Sequence, residues 1–422
     1  MITLNGLLLA YCALYIASFL FDVTIDKLNA NYLRKFGKEV PDAFKGMIDA
    51  DELQKIRKYT LDKIHFSFFQ TSSGKIFFLF IILSGILPWF AQKVGHFNYL
   101  AGGLLFFSGP SFVMALVDMP FDLYHSFVLE ERYGFNTKTF KIWLSDVVKS
   151  ILVIIILGGL LLSALLLLLH YAGKFWWIWT WAVVLGFQLL MTVLYPTIIA
   201  PLFNKFSPLE ESDLKRRIEQ LAHREGLTIR GIYQMDASKR SRHTNAYLSG
   251  LGKAKRIVLF DSLLQSHSED EILGVLAHEI GHLKKNHIKK HLALFSIISL
   301  LFFYVASKLI AWDLMYFSFG FSALSPYVGL FLLGVLWGPI GYFLSPLMMA
   351  ISRKFEWEAD MYAFTLMKNA EPLTLALKKM AKDNLSNLTP HRLNVWFNYS
   401  HPPLLERITY LTEADSFESH DN

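Results

Sequence analysis

Seven stretches of this chain are long and apolar enough to cross a bilayer, and nothing else limits its fold so tightly. About 20 consecutive apolar residues span the hydrocarbon core as a helix. The stretches are Ile2–Phe21, Ile76–Ala91, Leu100–Val117, Ile151–Leu169, Trp176–Leu194, Leu292–Ile310 and Val328–Ala350. The second is short and contains Pro88, so its ends are not fixed by the pattern. The first lacks a basic leading region and a small-residue cleavage site, which reads as a retained helix and not a signal peptide. Composition agrees: of 422 residues, 53% are apolar and 18% charged, below the rough quarter usual in soluble proteins.

The connecting segments alternate. Asp22–Lys75, Asp118–Ser150, Asn204–His291 and Ser352–Asn422 are long and carry nearly all the Lys and Arg, whereas Gln92–Tyr99, His170–Phe175 and Ala311–Tyr327 are short and nearly uncharged. The positive-inside rule then predicts an outer or lumenal N-terminus and a cytoplasmic C-terminus. The net charge of +6 reads as basic cytoplasmic loops, not as a nucleic-acid footprint. The single cysteine, Cys12, allows no intrachain disulfide and no cysteine zinc site. The terminal "ESHDN" is no prenylation signal. "FWWIWTW" at Phe175–Trp181 reads as an aromatic interfacial belt. The N-x-S/T triplets at Asn384, Asn387 and Asn398 fall on the expected cytoplasmic side and read as chance. The expected division is 1–203 (five spans), 204–291 (soluble catalytic part), 292–351 (two spans) and 352–422 (C-terminal catalytic part).

The segment 204–291 has soluble texture. "SPLEESDLKRRIEQLAHREGL" reads as a capped amphipathic helix ended by Gly226, and "TIRGIYQMDA" alternates like a strand. "NAYLSGLGKAKRIVLFDSLL" reads as two strands turning through Gly250–Lys253. A helix follows, with Ser268 and Glu271 as a capping box. It carries "VLAHEIGHLKKNH". His278 and His282 are four apart and share a helix face. Two neutral imidazoles so spaced can bind one zinc, and Glu279 projects beside it, placed to take a proton from water. The H-E-x-x-H pattern fits a zinc metalloprotease. Gly281 lets another segment approach this helix closely, a use that offsets the roughly 1 kcal/mol it costs in a helix interior.

A catalytic zinc needs a third protein ligand and an open position. Two crossings after His282 return the chain to the same side at "SRKFEWEAD", Ser352–Asp360. Glu356 and Asp360 are four apart and share a face, while Glu358 points away. One of the pair can ligate zinc and the other can accept the spare N–H of a ligand histidine.

Together, "VLAHEIGHLKKNH", "SRKFEWEAD", "NAYLSGLGKAKRIVLFDSLL" and "NYSHPPLLERI" resemble the type 1 CAAX prenyl proteases, over almost the whole chain. The resemblance implies a mainly α, polytopic membrane fold. Seven transmembrane helices would surround a large intramembrane chamber, with a zincin-type helix and small β-sheet on the cytoplasmic side. It implies one Zn2+ on His278, His282 and Glu356, Glu279 as general base, and Asp360 supporting a ligand. It further implies His401 stabilising the oxyanion, Asn245 lining the cleft on an edge strand, and Arg407 supporting the cleft. The expected partners are a prenylated CAAX peptide or protein and the lipid bilayer of the endoplasmic reticulum or a bacterial inner membrane. The expected reaction is removal of the aaX tripeptide. No nucleic acid is expected, and a monomer is compatible with the sequence. Two other functions fit: a quality-control membrane protease with no prenyl requirement, and a transporter or channel with structural zinc. Span middles with few charges disfavour the latter.

Overall fold

The computed structural model describes residues 2–250 and 255–421, the side chains of 419–421 excepted. Its first five long helices are α1 (Gly6–Phe36), α2 (Ala50–Leu83), α3 (Tyr99–Glu130), α4 (Phe140–Tyr171) and α5 (Gly173–Phe203). The short strand β1 (Phe206–Pro208), helix α6 (Asp213–Arg224) and strands β2 (Ile229–Met235), β3 (Ala246–Ser249) and β4 (Lys255–Phe260) follow. Then come α7 (Glu269–Lys284), α8 (His287–Leu309), α9 (Pro326–Met367), α10 (Glu371–Asp383), α11 (Arg392–Asn398) and α12 (Leu404–Asp421).

Six of the seven apolar stretches fall mainly in one helix each, and among the described residues seven helices are long and apolar enough to cross a membrane: α1 to α5, α8 and α9. Helices suit lipid because they satisfy their backbone groups internally. Most run well past the apolar part. The 42 residues of α9 make a rod about 63 Å long at 1.5 Å per residue, twice the hydrocarbon thickness of about 30 Å. The expected second span is divided. Its helix ends at Leu83, Gly85 turns at φ +81°, and Pro88 lies in the separate helix Ile86–Val94. Proline lacks an N–H and sits at no cost in a first turn, where that N–H has no partner. Pro110 and Pro120 in α3 and Pro339 and Pro346 in α9 lie inside their helices without ending them, so the break coincides with the left-handed Gly85 and not with proline alone. The sequence "FWWIWTW" has two fates. Phe175 and Trp179 are exposed, whereas Trp176 is buried and the Trp181 indole N–H donates to the Ser296 carbonyl, 2.9 Å.

The spans pack loosely, with 6–33% of each apolar segment buried. On α4, Ile151, Leu152, Ile154, Ile155 and Ile156 are all about half exposed or more. Val153 and Leu157, between and after them, are partly buried, so at 100° per residue more than half of the helix circumference is unpacked and one sector is covered. A first apolar core, including Tyr11, Ile82, Phe106, Leu166, Phe303 and Leu332, closes one end of the bundle. Two others close the opposite end. One joins Ile56, Leu129, Ala363 and Leu411; the other seals α6, the sheet and α7 through Ile218, Ile257 and Leu276.

At that second end the sheet runs β1-β2-β4-β3, with β2 and β4 parallel and both outer pairs antiparallel. The expected hairpin is β3–β4, with Ala246 opposite Leu259. Its turn, Gly250–Lys253, lies outside the described residues apart from Gly250. Only β4 neighbours β3 among the described strands, so β3 is an edge. Strand β1 is a three-residue piece that no periodicity announced. Ser212 caps α6 and Ser268 with Glu271 closes the capping box of α7.

Candidate metal centre and active site

Helix α7 crosses α9 at Gly281. A Cβ there would lie 3.0 Å from the Cα and O of Ala359, so the missing side chain is what lets the two backbones meet. The crossing puts His278 and His282, one turn apart on α7, against Glu356, one turn before Asp360 on α9. The His278 and His282 Nε2 atoms are 3.1 Å apart. Glu356 Oε2 is 3.4 Å from the first and its Oε1 3.3 Å from the second. Ligand atoms about 2.0–2.1 Å from a tetrahedral zinc lie roughly 3.3 Å from one another.

The donor chemistry points the same way. The Nδ1–H of His278 donates to Asp360 Oδ1, 2.7 Å, which leaves Nε2 as a lone pair. His282 Nδ1 faces His287 Nδ1 at 2.9 Å; with the His282 proton on Nδ1, its Nε2 is a lone pair as well. Two lone pairs and a carboxylate therefore converge, and the buried Glu356 Oε2 has no hydrogen-bond partner. Such a cluster is stable around a cation. The charge balance agrees, because Glu279, Glu356 and Asp360 oppose only the Arg407 guanidinium. Burial alone would lower the His278 pKa, but Asp360 and Glu356 outweigh it and lift it to about 9, so without a metal a proton takes the cation's place on this ring. The residues present thus fit a divalent metal.

Asp360 is fully buried and held by Arg407, whose Nε and Nη2 donate at 2.8 and 2.6 Å. Arg407 is itself buried. It borders the adjoining cavity, yet its guanidinium is committed to Asp360. Glu279 opens on two cavities, of about 260 and 990 Å³, which share Glu279, Glu356, Ser400 and His401 as walls. Burial pushes the Glu279 carboxyl above its ordinary pKa. His401 overhangs the cluster, with Nε2 3.4 Å from Glu356 Oε1. Ser400 Oγ lies 2.9 Å from its Nδ1, so a serine donor there leaves Nε2–H directed at the site. Asn245 lines the larger cavity at the start of edge strand β3. Its Oδ1 accepts from the Ala246 N–H, 2.8 Å, and its carbonyl from Phe260 N–H, 3.1 Å.

Three contributors escaped the sequence reading. Arg353 Nη1 donates to the carbonyls of Val395 and Tyr399, 3.0 and 2.7 Å, tying α11 and the segment before His401 to α9. Asn384, in one of the triplets, accepts from Thr244 N–H at 3.0 Å and meets His243 Nδ1 at 3.1 Å, bracing the entry to β3. His287 sits in the quoted motif, but its approach to His282 depends on Asn286 turning at φ +56°. An asparagine just past a helix end is the one sequence signal for that reversal.

A family model for the CAAX prenyl protease N-terminal region, described as five membrane helices, matches residues 29–205, and one for peptidase family M48 matches residues 208–415. The CAAX prenyl protease 1 homologue of Arabidopsis thaliana is 34% identical over 410 residues, covering 95% of this chain and 96% of that protein. The chain belongs to the type 1 CAAX prenyl proteases. CAAX prenyl protease 1 of Saccharomyces cerevisiae is 34% identical over 406 residues, 88% of either protein. The crystal structure of S. mikatae Ste24p superposes with a TM-score of 0.89 at 32% identity, covering 97% of this chain and 99% of that one. Like the family, this type 1 CAAX prenyl protease is a multi-pass membrane metalloprotease, with a mainly helical fold and a small mixed sheet.

Proposed function

We propose that this chain removes the aaX tripeptide from prenylated CAAX proteins, using one zinc held by His278, His282 and Glu356. The convergence of two imidazole lone pairs and an unpartnered carboxylate oxygen carries this reading. Bound there, zinc would supply Lewis-acid chemistry, polarising the scissile carbonyl and acidifying water. Glu279, the one carboxylate of the site with walls in both cavities besides Glu356, takes the water proton and returns it to the leaving amine. Its raised pKa suits a group that must both accept and donate. His401 Nε2–H donates to the oxyanion. Asp360, anchored by Arg407, fixes the His278 ring.

The free edge of β3 suits an extended peptide, which adds as a further strand with its side chains directed alternately into pockets. Asn245 borders that path. The cavity of about 990 Å³ beside the site, walled in part by Asn29 of α1 and Ile64 of α2, leads toward the spans, where a prenyl group would be buried. Each buried CH₂ contributes about 0.8 kcal/mol, so a lipid of roughly 15 carbons supplies much of the affinity. The basic loops support an outer or lumenal N-terminus with the site facing the cytoplasm.

The test is mass spectrometry of a farnesylated CAAX peptide and its unprenylated twin after incubation with purified protein, with Glu279→Gln as the blank. Cleavage of the farnesylated peptide alone, after the cysteine, is the expected result. Equal cleavage of both would replace the prenyl-directed reading with general membrane-protein quality control. Persistent cleavage by Glu279→Gln would refute the assignment of the base.

A further inference from the structure

We propose that His287 and Glu358 form an outer arm of the metal site that fixes the tautomer and tilt of His282. The inference rests on the reading of His278, His282 and Glu356 as the metal ligands. It concerns positioning residues, not groups that touch substrate.

His282 Nε2 lies 3.1 Å from His278 Nε2 and 3.3 Å from Glu356 Oε1, so it must be free of a proton to serve as a ligand. The His282 proton then sits on Nδ1, 2.9 Å from His287 Nδ1. Two imidazole nitrogens at that distance can bond only if one donates and the other accepts. His287 Nδ1 is therefore the acceptor, and its own proton lies on Nε2. That nitrogen is 3.1 Å from Glu358 Oε2, an acceptor. Every position in the chain Glu358–His287–His282 is thus satisfied by one arrangement of protons.

The arm is built, not incidental. His287 is 2% exposed and stacks on Phe355 at 4.3 Å between ring centroids, 5° from parallel. Asn286, in the left-handed region, reverses the chain after α7 so that the first residue of α8 folds back on the helix bearing His282. Lys290 Nζ lies 3.4 Å from Glu358 Oε2 on the outer side. The two histidines then have matching support from α9. Asp360 backs His278 directly, and Glu358 backs His282 through one intervening ring. Glu358 is on the face turned from Glu356, yet the crossing with α8 brings it to work.

The test is zinc retention by the purified full-length protein under a competing chelator, together with the visible spectrum of the cobalt-substituted form. His287→Phe keeps the stacking ring and removes both nitrogens; it should release zinc about 10–100-fold faster, alter the cobalt bands, and lower kcat with KM little changed. His287→Asn restores an acceptor near the Nδ1 position and should recover most of the retention and the parent spectrum. Glu358→Ala, at a half-exposed position, carries the same test should His287→Phe fail to fold, and should also speed zinc loss. Parent-like retention and spectrum in His287→Phe or Glu358→Ala, or His287→Asn no better than His287→Phe, would overturn the proposal. His282→Ala separates the two readings: zinc kept at full stoichiometry in that variant would refute the ligand assignment itself.

Discussion

Replacing Gly281 by alanine tests whether the α7–α9 crossing sets the metal geometry. The added Cβ would meet Ala359 Cα and O at 3.0 Å and Tyr362 Cβ at 3.1 Å, whereas ordinary contact begins at 3.4 Å. Two of those atoms are helix backbone and cannot rotate away, so α9 must retreat by a few tenths of an ångström. Glu356 is three residues from Ala359 on the same rigid helix and moves with it. Metal–ligand distances tolerate about 0.2 Å, so the shift is as large as the tolerance of the site. Overpacking costs about 1–3 kcal/mol, while glycine to alanine in a helix regains about 1 kcal/mol. The net loss of stability is therefore small, roughly 0–2 kcal/mol, but kcat should fall on the order of 10–100-fold, because small misplacements are costly in catalysis. Zinc content, kcat and thermal unfolding in detergent measure the three effects separately. Gly334→Ala, where a Cβ meets nothing within 4 Å, is the control and should match the parent. A Gly281→Ala enzyme that is fully active, fully metallated and about 1 kcal/mol more stable would refute the close crossing.

Two further perturbations probe the supports of the site. Burial alone would raise the Glu271 pKa, but Lys379, 2.8 Å away, and the Ser268 N–H outweigh it and hold the carboxyl below its ordinary 4.5. A depressed folded pKa contributes stability that is present above about pH 4.5 and lost as pH falls through the folded value. Glu271→Gln should therefore cost about 1–3 kcal/mol at neutral pH and flatten the acid limb of the unfolding curve; an unchanged limb would sink the assignment. Asn384→Ala removes the brace on Thr244 and should raise KM for peptide while leaving zinc content intact, whereas an unchanged KM would mean that β3 holds its place without it.

The sequence exposed what repeats or clusters locally. Twenty-residue apolar runs, the H-E-x-x-H spacing, the Ser268–Glu271 cap and the close-approach role of Gly281 are all properties of neighbours in the chain, and the structure contains each. It hid the places where local signals end but the element does not. Hydropathy sees only the greasy part of α9, so "SRKFEWEAD" reads as a segment arriving from the membrane, when it lies inside one unbroken helix that runs on to Met367. Pro339 and Pro346 lie inside that helix without ending it. The converse failed at Pro88, where an apolar run continued but the helix did not.

The continuity of α9 explains why the candidate site was less legible than its ligands. A pattern four residues apart names a face of a helix, and that much placed Glu356 and Asp360 together. What lies opposite that face depends on the crossing partner. Arg407, Asn384 and His287 each reach the site from a different element, from tens of residues away or across a left-handed turn, and Arg353, although only three residues before Glu356 on α9, acts by gripping carbonyls of α11 and Tyr399, so no spacing announces them. Glu358 makes the point most directly. Read on α9 alone it faces away from the metal ligands, and that is correct for Glu356; with α8 folded back at Asn286, the same outward face meets His287. Because one rigid helix bears both the inward and the outward carboxylate, a displacement of α9 by the surrounding membrane spans would move the two supports of His278 and His282 together. The metal site is thereby tied to the geometry of the bundle and not only to that of its own loop.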